Sequence, residues 1–522
     1  MLIKQKGKHN LMTKESNISN NAANNAEHSH KTATNLQNAG NSHENGGVAS
    51  NASTKVTRMG TESIPKLITE FAVPSIIGML VNGAYNVIDS VFLGQAMGEI
   101  GLSTATVAMP IMIVFMALSM LVGNGGNALA ALRMGEGKSG EAERSLGNTV
   151  SLSLILSVLV AIVVFIGPCI DGLLSISGAT ADVWNYSKVF IQIISCGFIF
   201  QCIGMGVNNF IRTAGAPNRA LATMVIGAVA CTAFNALFVL VMGLGVVGSA
   251  LATVCGQAVS CFTVLWYFCL TKNVPMRLRV SKMALHAQTV RLILSLGLAS
   301  FAVQAAASVV NFIINNLLNT YGAASVIGAE GALASIGVVQ RIATFVVLPI
   351  IGMAIAVQPL LGFNYGAKLY ARVKKTLACG MGGATVIAVV LWGLVHIFPN
   401  QIVSFFGISE PSLMSFTVFA LKVQLIMIPL VGIQIVGSNY FQATGQAAKS
   451  VLLSLTRQIL FLIPALLLLP SWLPALFPQF TSLDAIYFAA PVADTCSIFV
   501  TGIFVLLELK NLRKLEAAQQ KQ

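Results

Sequence analysis

A carboxylate inside an apolar stretch is the most chemically suggestive feature of the sequence. Asp89 lies in the second half of a hydrophobic run that begins near Phe71. An ionisable side chain at membrane depth is energetically costly, and it usually marks an ion path, a proton relay or a substrate site. Asn82, Tyr85 and Asn86 precede Asp89 at helical spacing and share one helical face with it. We therefore expect a polar functional site around Asp89, the alternative being a purely structural carboxylate.

A proline in the same stretch predicts a moving part. Pro74 lies N-terminal to Asp89. Proline inside a helix leaves a backbone carbonyl one turn earlier without its donor, and helices often kink at such positions. We expect Pro74 to be a hinge of the helix that carries Asp89.

Four further charged residues lie within apolar stretches nearer the C-terminus. For Asp494, functional and structural roles are equally open, and Arg341 or Lys422 is the expected partner if the role is structural. Lys422 and Arg457 are expected to extend to the two membrane surfaces.

The composition indicates a polytopic membrane protein. The chain has 522 residues, of which 55% are hydrophobic and 9% charged, and its mean hydropathy is +0.78. A soluble domain would be about 25% charged. The net charge of +13 is explained by basic cytoplasmic loops, so nucleic acid is not an expected partner.

The sequence predicts no cofactor. The nine cysteines show no metal-type spacing, so we expect neither a disulfide framework nor a resident metal. No GxxxxGK[ST] loop for ATP appears, and the glycine-rich segment 123–127 fits close helix packing better than phosphate binding.

Twelve apolar stretches predict an all-α fold with twelve transmembrane helices, because each is near the ~20 residues that a spanning helix needs. They cover residues 68–93, 104–130, 146–167, 187–211, 219–243, 248–270, 290–319, 329–358, 377–398, 413–437, 450–469 and 484–508. Lys and Arg collect before the first stretch and after every even-numbered one, including Arg212 and Arg219 after the fourth. This pattern predicts that both termini are cytoplasmic.

An internal repeat divides the chain into two lobes. The segment 209–215 recurs at 439–445, so that Arg212 corresponds to Gln442, and near the starts of the halves Asp89 corresponds to Ile314. Six spans per half make the lobes parallel repeats, with a substrate cavity expected between them. The expected units are a disordered cytoplasmic tail (1–60), the first lobe (61–272), a cytoplasmic linker (273–289) and the second lobe (290–512). The candidate cavity residues are Asn82, Tyr85, Met205, Gln304 and Asn311.

Four motifs together resemble the multidrug and toxic compound extrusion family, over roughly residues 61–512. They are Tyr85-Asn86-Val87-Ile88-Asp89-Ser90-Val91-Phe92-Leu93-Gly94, Gln358-Pro359-Leu360-Leu361-Gly362-Phe363-Asn364-Tyr365-Gly366-Ala367-Lys368, Arg212-Thr213-Ala214-Gly215-Ala216-Pro217 and Gly245-Val246-Val247-Gly248-Ser249-Ala250-Leu251-Ala252-Thr253. This resemblance implies two six-helix lobes and drug export by proton or sodium antiport.

The resemblance also implies a cation site in the first lobe, made of Asp89, an Asn-x-x-x-Asp pair and a threonine that corresponds to Thr253. The pair falls on Cys231 and Asn235, so the second carboxylate is missing. Burial of one carboxyl among neutral groups, with Asn86 nearby, favours its protonated form. We therefore expect a proton as the coupling ion in preference to sodium at Asp89.

The sequence predicts an exporter of amphipathic, often cationic, organic compounds in the inner membrane of a bacterium, acting as a monomer among membrane lipids. A flippase of lipid-linked precursors is the nearest alternative, although few cationic residues are available to meet phosphate. A membrane-embedded enzyme is less favoured, because His286 and His396 lie far apart in sequence.

Overall fold

The fold is a bundle of helices that run back and forth along its long axis. The computed structural model describes residues 50–521, except for 178–180, 272–273, 324, 326 and 409, and these residues contain no strand. By length and composition, eleven helices can cross a membrane, and one bent pair makes a twelfth crossing. They are α1 (Ile64–Gln95), α2 (Ser103–Gly135), α3 (Ser139–Phe165), α4 (Val183–Thr213), α5 (Pro217–Val241), α6 (Gly245–Cys269), α7 (Ala287–Ala323), α8 (Gly328–Gly366), α9 (Tyr370–Ile397), α10 (Pro411–Gln424 with Ile428–Ala443), α11 (Ala447–Leu476) and α12 (Ser482–Gln520).

The predicted all-α polytopic fold is confirmed. Each of the twelve predicted stretches overlaps one crossing, and α10 is the bent one, with an angle of 44° between its two parts. Lys and Arg cluster in the loops that follow α2, α4, α6, α8 and α10 and in the helix ends beside these loops. We call the end of the bundle that these loops occupy the basic end.

The helical path between α1 and α2 breaks at a single glycine. Gly98 has φ 56° and ψ −133°, a conformation open to glycine because it has no Cβ. The backbone stays helical through Pro74, so the break nearest to Asp89 is at Gly98. The role of Pro74 as a hinge stays a prediction.

The prediction that residues 1–60 form a disordered tail is wrong for the last of them, because Ser50–Thr61 is a helix. Val56 and Met59 are buried on one face of this helix, and Arg58 Nε donates to Glu62 Oε1 at 2.8 Å. That hydrogen bond holds the pKa of the Glu62 carboxyl below its usual range. The two buried apolar residues supply the packing that a disordered tail would lack. Residues 1–49 lie outside the described residues.

The linker between the lobes packs against α3 instead of extending away from the bundle. It contains a short 3-10 helix, Val280–Lys282, and the Asn148 amide donates to the carbonyls of Lys282 and Ala284 at 3.1 and 3.0 Å. Because α7 begins at Ala287, the last residues of the expected linker 273–289 are helical.

The two lobes contact each other at the basic end through backbone that only glycine permits. A Cβ at Gly297 of α7 would overlap the carbonyl oxygen of Leu121 in α2, and a Cβ at Gly125 would overlap that of Ile293. These contacts confirm that the glycine-rich segment 123–127 serves close helix packing. The lobes therefore meet backbone to backbone at this end.

Gly297→Ala should destabilise the protein by about 1–3 kcal/mol, because the added methyl group forces α2 and α7 apart. Gly382→Ala is the matched control, since a Cβ there meets nothing within 4 Å and gains about 0.5–1 kcal/mol of helix propensity. The fraction of protein that remains in the main size-exclusion peak after heating measures the heat resistance of both variants. Equal heat resistance of the two variants would contradict the close contact.

Candidate functional site

Asp89 is the meeting point of three helices. Its Oδ1 accepts hydrogen bonds from Asn235 Nδ2 of α5 at 2.9 Å, from Ser249 Oγ of α6 at 3.2 Å and from Thr253 Oγ1 of α6 at 3.5 Å. The structure thus brings Asp89, Asn235 and Thr253 together, as the sequence predicts. The three donors are uncharged, and hydrogen bonds to an ionised acceptor are the stronger kind. We call Asp89, Asn235, Ser249 and Thr253 the Asp89 cluster.

Ser249 is the member of this cluster that the sequence analysis missed. It precedes Thr253 by four residues and therefore occupies the same face of α6. The four-residue spacing from Thr253, within the motif 245–253, was the sequence signal that could have identified Ser249. The side chain of Asn86 lies outside the described residues, so its predicted place in the site stays a prediction.

Asn235 connects the cluster to a cysteine. Its Nδ2 lies 3.5 Å from Cys231 Sγ, and both residues are buried. The amide oxygen of Asn235 has no hydrogen-bond partner among the described residues. The cluster therefore surrounds one carboxylate with an amide N–H and two hydroxyl groups, and its oxygen atoms are of the kind that binds a proton or a hard cation such as sodium. The described residues contain no group of three His, Cys, Asp or Glu that could hold a metal ion.

A cavity of about 200 Å³ adjoins the Asp89 cluster through Tyr85 and Cys231. Methionines line much of it, and amide and hydroxyl groups supply the polar contacts. The lining includes Met79, Asn82, Tyr85, Met112, Met116, Met120, Asn124, Phe200, Gln201, Met205, Asn208, Asn209, Arg212, Met224, Cys231, Gln257, Ser260 and Ile355. Flexible thioethers adapt to apolar molecules of different shapes, and aromatic faces attract cations.

The cavity lies inside the first lobe, not between the lobes as expected. Ile355 is the one lining residue that the second lobe contributes. Asn82, Tyr85 and Met205 line it as predicted, whereas Gln304 and Asn311 do not. Asn311 instead accepts a hydrogen bond from Gln340 Nε2 at 3.2 Å, within the second lobe.

Arg212 lines this cavity, which corrects its assignment to a basic loop. The side chain is 2% exposed, and its Nη1 donates to Asn208 Oδ1 at 2.9 Å and to Asn209 Oδ1 at 2.5 Å. The turn after α4 is very short, so Arg212 remains in the last helical turn and packs inward. Sequence reasoning missed this because a basic residue beside such a loop fits the charge pattern equally well.

Seven hydrogen bonds link eight polar side chains from both lobes at the basic end of the cavity. The first and last of them, Arg212 and Thr213, are consecutive residues, so we call the series the closing ring. Its members are Arg212, Asn209, Asn124, Ser300, Gln442, Gln358, Asn127 and Thr213. Two of its hydrogen bonds cross between the lobes. Asn124 Nδ2 donates to Ser300 Oγ at 3.0 Å, and Asn127 Nδ2 donates to Gln358 Oε1 at 3.5 Å. Arg212 and Gln442, which correspond in the repeat, both belong to the ring, so the repeat-equivalent helix ends meet here.

Asp494 pairs with a residue that the sequence analysis did not assign to it. Arg457 Nε of α11 lies 2.5 Å from Asp494 Oδ1 of α12, so the expected partners Arg341 and Lys422 are wrong. The Asp494 side chain is 3% exposed. A π-helical segment, Thr456–Leu462, contains Arg457 and turns it toward α12. Arg341 and Lys422 are exposed and make no ion pair within the described part of the chain.

The fold and the site together define a class of protein. Twelve crossings in two lobes, a cavity beside an intramembrane carboxylate and closure at one end are the features of a polytopic membrane transporter. Residues 74–237 and 299–467, more than half of the chain, match the MatE family. The chain belongs to this family.

Relatives extend over most of the chain. The multidrug export protein MepA of Staphylococcus haemolyticus is 26% identical over 453 residues, 86% of this chain and 94% of that protein. MepA of Staphylococcus aureus strain NCTC 8325 is 23% identical over 409 residues, 77% and 87% of the two chains.

Solved structures share the fold. The MATE multidrug transporter DinF-BH superposes with a TM-score of 0.76 at 32% identity and covers 87% of this chain and 97% of its own. A multidrug resistance MATE family transporter in an outward-facing conformation superposes with a TM-score of 0.79 at 22% identity, covering 88% and 98%. The second likeness shows the fold alone.

Arg457→Gln should destabilise the protein by about 3–5 kcal/mol, because it leaves the buried Asp494 carboxylate without a counter-charge. The double variant Arg457→Met with Asp494→Leu should recover most of this loss, since neither charge then remains buried. Urea unfolding in detergent, followed by tryptophan fluorescence, measures both.

Lys422→Met is the matched control, because it removes an exposed charge, and its effect should stay within about 0.5 kcal/mol. A double variant no more stable than Arg457→Gln alone would show that the ion pair has a role beyond mutual neutralisation.

Proposed function

We propose that this protein is a secondary active antiporter that exports amphipathic, often cationic, organic compounds in exchange for protons or sodium ions. The functions named for its relatives, multidrug export and multidrug transport, support this proposal. The observation that carries it is the contact between the Asp89 cluster and the cavity. Tyr85 and Cys231 line the cavity, while Asp89 and Asn235 lie four residues from them on the same helices. Ion binding and substrate binding thus involve neighbouring turns of α1 and α5.

The coupling follows from a change in hydrogen-bond strength. While Asp89 is ionised, its Oδ1 holds α1 against α5 and α6 through three bonds to a charged acceptor. Protonation converts these to weaker bonds between neutral groups. Helix α1 is then free to shift, and it carries Tyr85 out of its position in the cavity wall. Substrate affinity falls as the proton binds and returns when the proton leaves.

A proton is the favoured coupling ion because the cluster holds one carboxylate. Asn235 stands where the family resemblance implies a second, and an amide cannot neutralise a cation. Sodium remains the alternative, since the Asn235 amide oxygen, two hydroxyls and the carboxylate are all oxygen ligands. Neither ion requires a resident cofactor.

The charge pattern supports one orientation of the protein in the membrane. Basic loops remain on the cytoplasmic side of a bacterial inner membrane, so the basic end faces the cytoplasm and both termini lie there. The closing ring then seals the cytoplasmic side of the cavity. We propose that the protein works in this orientation as a monomer surrounded by lipid.

A flippase of lipid-linked precursors is the alternative function. Its cavity needs several cations to meet phosphate groups, and Arg212 is the one cationic residue among those that line the cavity. The methionine-rich lining favours apolar organic molecules instead. A membrane-embedded enzyme is the less favoured alternative.

Asp89→Asn should abolish gradient-driven efflux and weaken dye binding, because the neutral amide mimics the protonated carboxyl and cannot exchange a proton. Proteoliposomes with an imposed pH gradient, or separately an imposed sodium gradient, report dye efflux by fluorescence.

Asp171→Asn is the matched control for this experiment. It makes the same substitution in a carboxylate that pairs with Lys188 at 2.8 Å, away from the cavity, and it should retain wild-type efflux. Full pH-driven efflux by the Asp89→Asn variant would refute the assigned role.

Asn235→Asp should raise the share of efflux that a sodium gradient drives. The new carboxylate lies within hydrogen-bond distance of Asp89, and two adjacent carboxylates repel each other unless a cation lies between them. The ratio of sodium-driven to pH-driven efflux, compared with wild type in the same liposomes, measures the change. A lower ratio in the variant would contradict the proposed site.

A further inference from the structure

A buried guanidinium without a counter-ion lies at the basic end of the cavity. Arg212 is 2% exposed, and no ion pair to it occurs in the part of the chain that the structure describes. A buried charge is normally paired, because water no longer solvates it. The contrast with Arg457, which faces Asp494, is direct.

The hydrogen bonds of Arg212 are incomplete. The guanidinium has five N–H donors. Nη1 uses two acceptors, the amide oxygens of Asn208 and Asn209, whereas Nη2 lies 3.4 Å from Met224 Sδ, a weak acceptor. Nε has no partner among the described residues. Partner amides hold one edge of the guanidinium, so the group is preorganised while its charge stays uncompensated.

The rest of the cavity suits a molecule with two different ends. Arg212 contacts Met224 of α5, and Asn235 of the same helix contacts Asp89. These two positions are about 16 Å apart along the helix. Methionines line the cavity wall, and Tyr85 lines it beside the Asp89 cluster, where an aromatic ring and a carboxylate both favour a cation.

We propose that Arg212 is an anion subsite of the cavity. It binds a carboxylate, or a similar small oxyanion, on an amphipathic molecule whose apolar body lies against the methionines and whose cationic end points toward Tyr85. The preferred substrates are therefore zwitterions. This inference rests on the proposed function in taking the cavity as the export site.

The test compares two rhodamine dyes that share a cationic ring system, one with a free carboxylate and the other its ethyl ester. Fluorescence anisotropy with the purified full-length protein in nanodiscs gives the dissociation constants. Wild type should bind the carboxylate dye about tenfold more tightly than the ester, as expected for a charge-assisted hydrogen bond. Arg212→Gln should remove that preference and leave ester binding within about twofold.

Two further variants separate binding from folding. Arg219→Gln removes an exposed arginine that lies over the Tyr267 ring, outside the cavity, and should behave as wild type. Arg212→Lys keeps the charge but loses the planar fork, and should keep part of the preference. If Arg212→Gln does not fold, the wild-type preference and its reduction in Arg212→Lys decide the question. Equal affinity of wild type for both dyes, or an equal loss for both in Arg212→Gln, would overturn the proposal.

A competition experiment identifies the source of the anion. Short-chain phosphatidic acid that displaces the carboxylate dye from wild type, but not the ester from Arg212→Gln, would extend the subsite to lipid phosphates. No displacement would restrict it to carboxylates. Because binding needs no gradient, failure of coupled efflux would refute antiport alone, and loss of the carboxylate preference would refute the subsite alone.

Discussion

Three hydrogen bonds to one carboxylate oxygen hold the functional part of this molecule together. In an apolar bundle, water does not solvate a buried polar side chain, so its partner must come from the protein itself. The bonds to Asp89 Oδ1 satisfy the carboxylate, and they also join α1 to α5 and α6. In the proposed mechanism, a change in the charge of Asp89 is therefore also a change in helix packing.

At the basic end, the structure depends instead on close contact between backbones. Backbone contact at Gly297 brings α2 and α7 close enough for short side chains such as Asn124 and Ser300 to reach across the lobes. The closing ring consists mainly of neutral amides and hydroxyls. Such groups stabilise each other without the desolvation penalty of ion pairs. In the proposed transport cycle, such a closure separates more readily than an array of buried salt bridges would.

The parts of the structure that were predictable from sequence are those that a single strong rule controls. Hydropathy predicted the twelve crossings, because a spanning helix must be long and apolar. The family resemblance implied that Asp89, Asn235 and Thr253 belong to one site. The partner of Asp494 was not predictable, since several cations share its half of the chain and the π-helical segment that turns Arg457 leaves no periodic signal. Arg212 was assigned to a loop because the charge rule explains a basic residue at a helix end whichever way its side chain points.

The first lobe holds the Asp89 cluster and all but one of the residues that line the cavity. Ile314 occupies the position that corresponds to Asp89, and Ile355 is the second lobe's one contribution to the cavity lining. The second lobe contributes close backbone contact and three members of the closing ring, Ser300, Gln358 and Gln442. Under the proposed function, the first lobe binds the ion and the substrate, and the second provides the surface against which the first closes. Substitutions that change substrate preference are therefore expected in the first lobe.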